Sequence, residues 1–530
     1  MELELTLKNY RCFADAAPAR FALRPGATAF VGPNNSGKST VLRLFLELRH
    51  LFQQISPSRG GEFFPALQGN QRVFNVPPHA ADLRMLFCNS NERPLKITVS
   101  PRPTSSEEKA VVGVLKHLEI TVPHNTNYWT VSLTNNDDQV YSGHSLGFGD
   151  NMIQHPEYAS IGVEILDIIS SMLAQTLYIG PFRNVVNIGT NEDYFDMKVG
   201  QALVSNWRSL KTGPNSRNNE ACYRIQDQIA RIFGYQRVEI NPSPGDDTLQ
   251  VFLDGLSYRI HELGSGFTQF FVVLANAHIQ HPHYILIDEP ELHLHPSLQM
   301  DFLTTLASYA QSGVLFATHS VGLARTAADV TYSVRRPAGA PPEVTPWDAT
   351  PRLSELLGEL SFSGYRELGF RKVLLVEGPT DIKTFHQFLK IVGKDRECVL
   401  LPLGGSSMIN GRADEALAEL TRISDDIYAV IDSERSEKGE PLSQDRLAFE
   451  EVCARLGIRC HVLERRATEN YLTDAAVKRA LGEQFSALAE YDDPRNARPF
   501  WGKERNWRIA MEMKLEDLEG TDLGQLLTGL

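Results

Sequence analysis

Ala29-Phe30-Val31-Gly32-Pro33-Asn34-Asn35-Ser36-Gly37-Lys38-Ser39 is the stretch that decides the fold. Three residues of strand character run into the pattern G-x-x-x-x-G-K-S, and from Thr40 to Leu51 apolar residues recur at helical spacing. A strand, a glycine loop and a helix in that order turn successive backbone N–H groups toward an anion, and the helix N-terminus adds positive potential. There Lys38 reaches the β and γ phosphates of a nucleotide and the Ser39 hydroxyl can ligate magnesium. Asn34, Asn35, Ser36, Gly37 and Thr40 complete the lining. Upstream, Leu3, Leu5 and Leu7 alternate with polar residues as a strand does, with none of the basic flank or long apolar core of a signal peptide.

Downstream, Tyr284-Ile285-Leu286-Ile287-Asp288-Glu289 is an apolar strand ending in two carboxylates. The first suits a hydrated magnesium ion and the second the orientation of an attacking water. Leu263-Gly264-Ser265-Gly266 precedes this strand; Glu291-Leu292-His293-Leu294-His295-Pro296 follows it, and Thr318-His319-Ser320 comes after the next apolar run. This order resembles the ATP-binding-cassette ATPases, in the branch shared with the structural-maintenance-of-chromosomes and recombination-repair ATPases. The resemblance implies ATP and magnesium as ligands, Gly264, Ser265 and Gly266 as a signature loop acting on another subunit's γ-phosphate, and His319 as a switch histidine. It also implies a head-to-head homodimer with composite sites. Gln269 follows the signature at the family's usual place. The family's glutamine-centred loop has no evident counterpart, and Pro181-Phe182-Arg183 lies where that segment would fall.

The remainder sets the frame. The chain has 530 residues, 42% apolar, with 52 Lys and Arg against 65 Asp and Glu. Neither a disordered chain nor a stapled miniprotein has that length and composition. The net charge of −13 argues against coating nucleic acid by bulk charge, while leaving room for a local basic groove. Six scattered cysteines form no C-x-x-C pair, so neither a zinc site nor a disulfide framework is expected. No run of about 18 apolar residues suggests a membrane span, and a cytoplasmic protein is the default expectation. Residues 52–175 mix turns with β-rich runs such as Leu118–Val122 and Trp129–Leu133 and read as an insertion in the first domain. Arg336–Pro346 carries four prolines and one glycine in eleven residues and reads as a surface connector. The expected division is an ATPase domain over 1–345, a linker over 346–368 and a second parallel α/β domain over 369–530 with a C-terminal helical extension.

In that second domain Val373-Leu374-Leu375-Val376 delivers Glu377 onto Gly378, with Asp381 four residues on. Val399–Leu403 runs into Gly404-Gly405, and Ile427–Ile431 into Asp432-Ser433-Glu434. Parallel strands bind ligands at this edge. If the backbone stays extended, Asp432 and Glu434 share a face, and with Glu377 and Asp381 they offer oxygen ligands for magnesium or manganese. Without a cation such a crevice would repel itself.

The arrangement resembles the TOPRIM fold of topoisomerases, primases and nucleases, whose glutamate and D-x-D elements correspond to Glu377 and to Asp432 with Glu434. Leu463–Leu472, containing Glu469-Asn470-Tyr471, and Phe500-Trp501-Gly502-Lys503 extend the likeness. An N-terminal cassette ATPase joined to such a domain resembles the overcoming-lysogenization-defect family of ATP-dependent nucleases, whose bacterial and phage members act in DNA processing and antiphage defence. That resemblance implies Glu469 as an additional metal ligand and Lys503 as the cation that stabilises the scissile phosphate. From Arg495 to Arg508, Arg495, Arg498, Lys503, Arg505 and Arg508 interleave with Phe500, Trp501 and Trp507, which suits a nucleic-acid strand or else a solvated helix with a buried aromatic face. The expected activity is ATP-regulated, metal-dependent endonucleolytic cleavage of DNA, with a defence partner protein possible. The rivals are an ATPase sensor whose second domain cuts RNA such as tRNA or docks a partner, and a topoisomerase or primase; a topoisomerase needs a nucleophilic tyrosine, usually in a further domain that is not evident.

Overall fold

The alternation at the N-terminus becomes the strand Glu2–Lys8, with Leu3, Leu5 and Leu7 buried. In this computed structural model it pairs antiparallel with Ala19–Leu23 on one side and with Leu95–Arg102 on the other. Leu115–Val122, Tyr128–Asn135 and the short Arg72–Val73 continue the sheet, and Val140–Tyr141 pairs with Tyr128–Asn135. The β-rich part of 52–175 is therefore not an appendage: it supplies most strands of the sheet that the N-terminus begins. The structure describes residues 1–59, 61–77, 82–180, 193–243, 248–292, 294, 296–337, 340–347, 372–395, 397–403, 417, 421, 426–496 and 499–530.

A second sheet carries the chemistry. Its order is Thr176–Ile179, Tyr284–Asp288, Gly313–Thr318, Gly26–Val31, Val330–Arg335 and Glu343–Pro346. All neighbours are parallel except the last pair. Tyr284–Asp288 and Gly313–Thr318 are buried along their whole length, as strands covered on both faces must be, which explains their unbroken apolar runs. Leu3, Phe30, Phe45, Leu286 and Trp129 belong to one continuous core, so this sheet and the antiparallel one share an interior. The proline-rich connector reads differently in three dimensions. Glu343–Pro346 is an edge strand, a place where proline's missing N–H faces away from the ladder.

The chain forms two compact units, Met1–Ser320 with Val330–Trp347, and Val321–Asp329 with Asp348–Leu530. A single cut near 345 is thus not what the contacts give: nine residues just after His319 cluster with the second unit. Residues 348–371, most of the expected linker, lie outside the described residues.

In the second unit Cys398–Pro402, Lys372–Val376, Ile427–Ile431 and Arg459–Val462 form an all-parallel sheet in that order. Val373, Leu375, Leu401, Ala429 and Ile431 pack with Phe449 and Cys453 of the helix Gln444–Leu456. Gly404-Gly405, expected as a turn at this edge, falls outside the described residues. The C-terminal helix Asp522–Gly529 is pinned by its first residue: Asp522 accepts from Tyr471 Oη at 2.6 Å and from the Glu464 N–H at 2.9 Å, with His461 Nε2 at 2.9 Å. These contacts overcome the cost of burial and lower the Asp522 carboxyl to about 2. Because its folded value lies below the ordinary carboxylate value, its contribution to stability is whole above about pH 4 and is lost as pH falls toward 2. Thermal melts across that window should fall less steeply for Asp522→Asn than for the wild type; parallel curves would refute the assignment.

Candidate functional site

The strand Gly26–Val31 ends at a glycine with no room for a side chain: a Cβ on Gly32 would lie 2.0 Å from the Val334 carbonyl oxygen. Gly37 adopts φ 109°, a region L side chains rarely enter, and the helix Lys38–Glu47 begins directly after it. Pro33, Asn34 and Asn35 are exposed, whereas Ser36 is buried and its hydroxyl has no hydrogen-bond partner. The Lys38 ammonium donates to the carbonyls of Gly32 and Pro33, both at 2.9 Å. Thr40 sits in the first helical turn, its N–H donating to Gly37 O.

From the neighbouring strands come the charges. Ser39 Oγ donates to Asp288 Oδ1 at 2.9 Å. Burial raises the proton affinity of Asp288, with the Ser39 hydrogen bond opposing and Glu289 reinforcing. Burial also lowers the affinity of Lys38, against the pull of Asp288, Glu289 and Glu291. A glycine loop opening a helix, a serine hydroxyl without a partner and a buried carboxylate held to the helical serine fit magnesium with a nucleotide's phosphates. Glu289 sits at φ 57°, its N–H donating to Ala317 O, which aims its side chain at His319: Oε1 stands 3.3 Å from Nε2. Both ring nitrogens of His319 are 3.4 Å from the Lys38 ammonium. Glu291 accepts from the Thr318 hydroxyl at 2.7 Å and the His319 N–H at 3.0 Å, so it sets the backbone that presents the histidine. Sequence reading passed over that role; its signal was the acid placed just after Asp288-Glu289-Pro290. His293, His295 and Pro181-Phe182-Arg183 lie outside the described residues.

Gly264, Ser265 and Gly266 open the helix Ser265–Gln280, with Gly264 and Ser265 exposed. Gln269 is buried one turn on, and its Nε2 has no partner.

In the second unit the parallel edge gathers Glu377, Asp381 and Asp432. Glu377 Oε2 accepts from the Asp432 N–H at 3.1 Å, and Asp381 Oδ2 accepts from the Gly378 N–H at 2.9 Å, capping the helix Pro379–Ile391. Asp432 Oδ1 accepts from both the N–H and the hydroxyl of Thr468. That bond brings in the buried turn Thr468–Tyr471 and with it Glu469. The Lys503 ammonium lies 3.6 Å from Asp432 Oδ2 and 3.4 Å from Glu469 Oε1. Asn506 Nδ2 donates to the same Glu469 oxygen at 3.1 Å. Burial raises Glu377, Asp381 and Glu469 above the usual carboxylate range, and the charge of Asp432 adds to each. Asp381 Oδ1 and Glu469 Oε2 are buried with no hydrogen-bond partner. Crowded, dehydrated carboxylates with unused oxygens are the donor chemistry a hard divalent cation takes.

Two expectations need correction. Glu434 does not share a face with Asp432, because its φ of 57° breaks the extended backbone that the D-x-D reading assumed. Its carboxylate pairs with Arg466 at 3.2 Å and Arg446 at 3.9 Å. Among the described residues no three His, Cys, Asp or Glu side chains converge at metal-ligand spacing. Cations of the chain itself fill the gaps: Lys503 between Asp432 and Glu469, and Arg446, which donates to Asp432 O at 2.6 Å and stands 3.7 Å from Glu377. Arg446 carried no motif and was not foreseen. In the basic and aromatic run two rings are interior, while Arg495, Lys503 and Arg505 are exposed. Trp501 and Trp507 are buried, Trp501 donating to Asn506, while Arg495 pairs with Asp493. Phe500 is exposed, and Arg498 lies outside the described residues.

Two family models match parts of the chain, almost wholly in the first unit. Residues 4–59 match one described as "AAA domain", and residues 230–325 match "AAA domain, putative AbiEii toxin, Type IV TA system". No curated protein matches. Among solved structures, similarity is found to an SMC head bound to the C-winged helix domain of ScpA (12% identity, TM-score 0.40, covering 65% of this chain and 97% of that one). The SMC head domain from Thermotoga maritima also matches (14%, TM-score 0.32, 66% and 100%). A third is the Smc head with an extended coiled coil bound to the C-terminal domain of ScpA derived from Pyrococcus furiosus (11%, TM-score 0.38, 68% and 100%). The family matches take in the phosphate loop and the Asp288-Glu289 strand, which supports a nucleotide-binding ATPase domain in the first unit. Among the described residues no helix is long and apolar enough to cross a membrane.

Proposed function

We propose that this chain is an ATP-regulated, divalent-metal-dependent endonuclease acting on DNA, of the overcoming-lysogenization-defect type, with a TOPRIM domain over 369–530. What carries the reading is that one parallel-strand edge sets Glu377 against the Asp432 N–H, with the Lys503 ammonium linking Asp432 to Glu469 of the neighbouring turn. Magnesium or manganese, when bound, supplies Lewis acidity and a water of lowered pKa for in-line phosphodiester hydrolysis. Glu377 and Asp432 would hold it, with Asp381 and Glu469 completing the set and Lys503 released toward the scissile phosphate. Arg446 keeps Glu377 in place from the far side. In the first unit Asn34, Asn35, Ser36, Gly37, Lys38 and Thr40 cradle ATP, Ser39 and Asp288 hold magnesium, and Glu289 orients water with His319 against it.

Exposed Ser265, at a helix start, acts on the phosphate loop of a second copy, which makes the homodimer the unit of turnover. Mixing Lys38→Ala chains with Ser265→Arg chains should rebuild one intact site per mixed dimer and recover about a quarter of wild-type hydrolysis. A mixture no more active than either variant alone would sink completion in trans.

The absence of three converging ligands among the described residues favours a second reading, an ATPase sensor whose acid unit docks a partner or cuts RNA. Plasmid DNA and transfer RNA, each incubated with the protein and manganese, separate the two. Likeness over 230–325 to a putative AbiEii toxin of a type IV TA system supports a companion protein as partner.

A further inference from the structure

The chain leaves the first unit after Ser320, spends Val321–Asp329 in the second, and returns at Val330. Those nine residues begin two positions after His319, which faces Glu289 and the Lys38 ammonium. They form the helix Val321–Ala327, which packs on the helix Pro379–Ile391. At its end Asp329 accepts from the buried Lys383 ammonium through both oxygens, at 3.0 and 2.9 Å. Lys383 stands two residues after Asp381 on one helical turn. Asp329 is also the attractive neighbour of Arg508, on the helix Asn506–Met511 that packs against Pro379–Ile391. Arg508 stands two residues after Asn506, which holds Glu469, and five after Lys503. One carboxylate therefore anchors the helix Pro379–Ile391, against which the helix Asn506–Met511 packs, and it belongs to the segment that follows the nucleotide switch.

The geometry points to Asp329 as a positioning residue that transmits nucleotide state from His319 to the acid cluster. The Lys38 ammonium is now spent on the Gly32 and Pro33 carbonyls beside His319. Phosphates that recruit it change what His319 faces, and a short helix carries that change to Asp329 as a stiff element. A buried ion pair between the bend that follows one helix and the body of another resists sliding, so a shift of Asp329 moves Lys383 and with it the helix Asn506–Met511 packed on Pro379–Ile391. That the moved acids cut a phosphodiester rests on the nuclease reading above.

Amide exchange on the full chain, with and without ATP and magnesium in a Glu289→Gln background that slows turnover, tests the joint. ATP should change exchange in peptides from 379–391 and 503–511 by about fivefold or more. Asp329→Asn should abolish that response, and Asp329→Glu, which keeps the charge, should restore it. An undiminished response in Asp329→Asn, or none in the parent, overturns the proposal. Removing one member of a buried pair strands the other charge. The double variant Asp329→Asn with Lys383→Met therefore serves as a second arm, and a response retained there also overturns it. Plasmid nicking is scored separately. A chain that shows the exchange response but cuts nothing in manganese keeps the joint and loses the nuclease; one that cuts without any response keeps the nuclease and loses the joint.

Discussion

Glu377→Ala should abolish nicking of supercoiled plasmid in manganese while ATP hydrolysis continues. Loss of a partner that merely orients a metal ligand costs 10–100-fold, so loss of a ligand itself should cost on the order of 100-fold or more. The same substitution frees the Asp432 N–H, which donates to Glu377, and strips Arg446 of one of its carboxylates, so alanine removes a brace as well as a charge. Glu377→Gln keeps the acceptor for that N–H and loses the charge. If Gln nicks like wild type and Ala does not, Glu377 shapes the edge without holding metal. Equal nicking by wild type and Glu377→Ala would hand the lead to the docking reading. Asp432→Ala should behave like Glu377→Ala, because Asp432 is the acid that ties the sheet edge to the Thr468 turn and faces Lys503.

Lys38→Ala should weaken ATP binding on the order of 100-fold, since the backbone N–H groups of the loop survive but the charge-assisted contacts at the phosphates do not. Glu289→Gln should bind ATP normally and hydrolyse it on the order of 100–1,000-fold more slowly, as expected when the group that orients or deprotonates a water is lost. The two variants act on opposite sides of the binding step, and calorimetry against single-turnover hydrolysis separates them. Unchanged affinity in Lys38→Ala would remove the phosphate loop from the nucleotide site, whatever the turnover. Glu289→Gln with wild-type turnover would leave His319, which stands 3.3 Å from Glu289, without its proposed role.

Much of the frame was legible because it is written in consecutive residues. Alternating Leu3, Leu5 and Leu7 gave a half-buried antiparallel strand, and the unbroken apolar runs at 284–287, 314–317, 373–376 and 427–431 gave strands covered on both faces. The phosphate loop was legible for a further reason: its glycines are demanded by local geometry, Gly32 by a neighbouring carbonyl and Gly37 by its φ. One pattern left two readings open. The interleaved cations and rings of 495–508 suit a nucleic-acid strand or a solvated face over buried aromatics, and two of the three aromatics are core residues, because spacing along the chain does not say which face the rest of the unit covers.

The sequence by itself determined the strands at 29–31, 284–287 and 314–317 of the ATPase sheet, the parallel α/β character of the second unit, and where a nucleotide's phosphates would be held. Local backbone preference and hydrophobic periodicity act over a few residues and need no partner. Only the tertiary structure decided which charges meet. Glu434 turns away from Asp432 through one left-handed residue, Lys503 comes to rest between Asp432 and Glu469, Arg446 arrives from a helix with no motif, and Asp329 finds Lys383 across 54 residues of chain. Such contacts depend on how helices pack over a sheet edge, and a buried charge takes whichever partner that packing brings within reach.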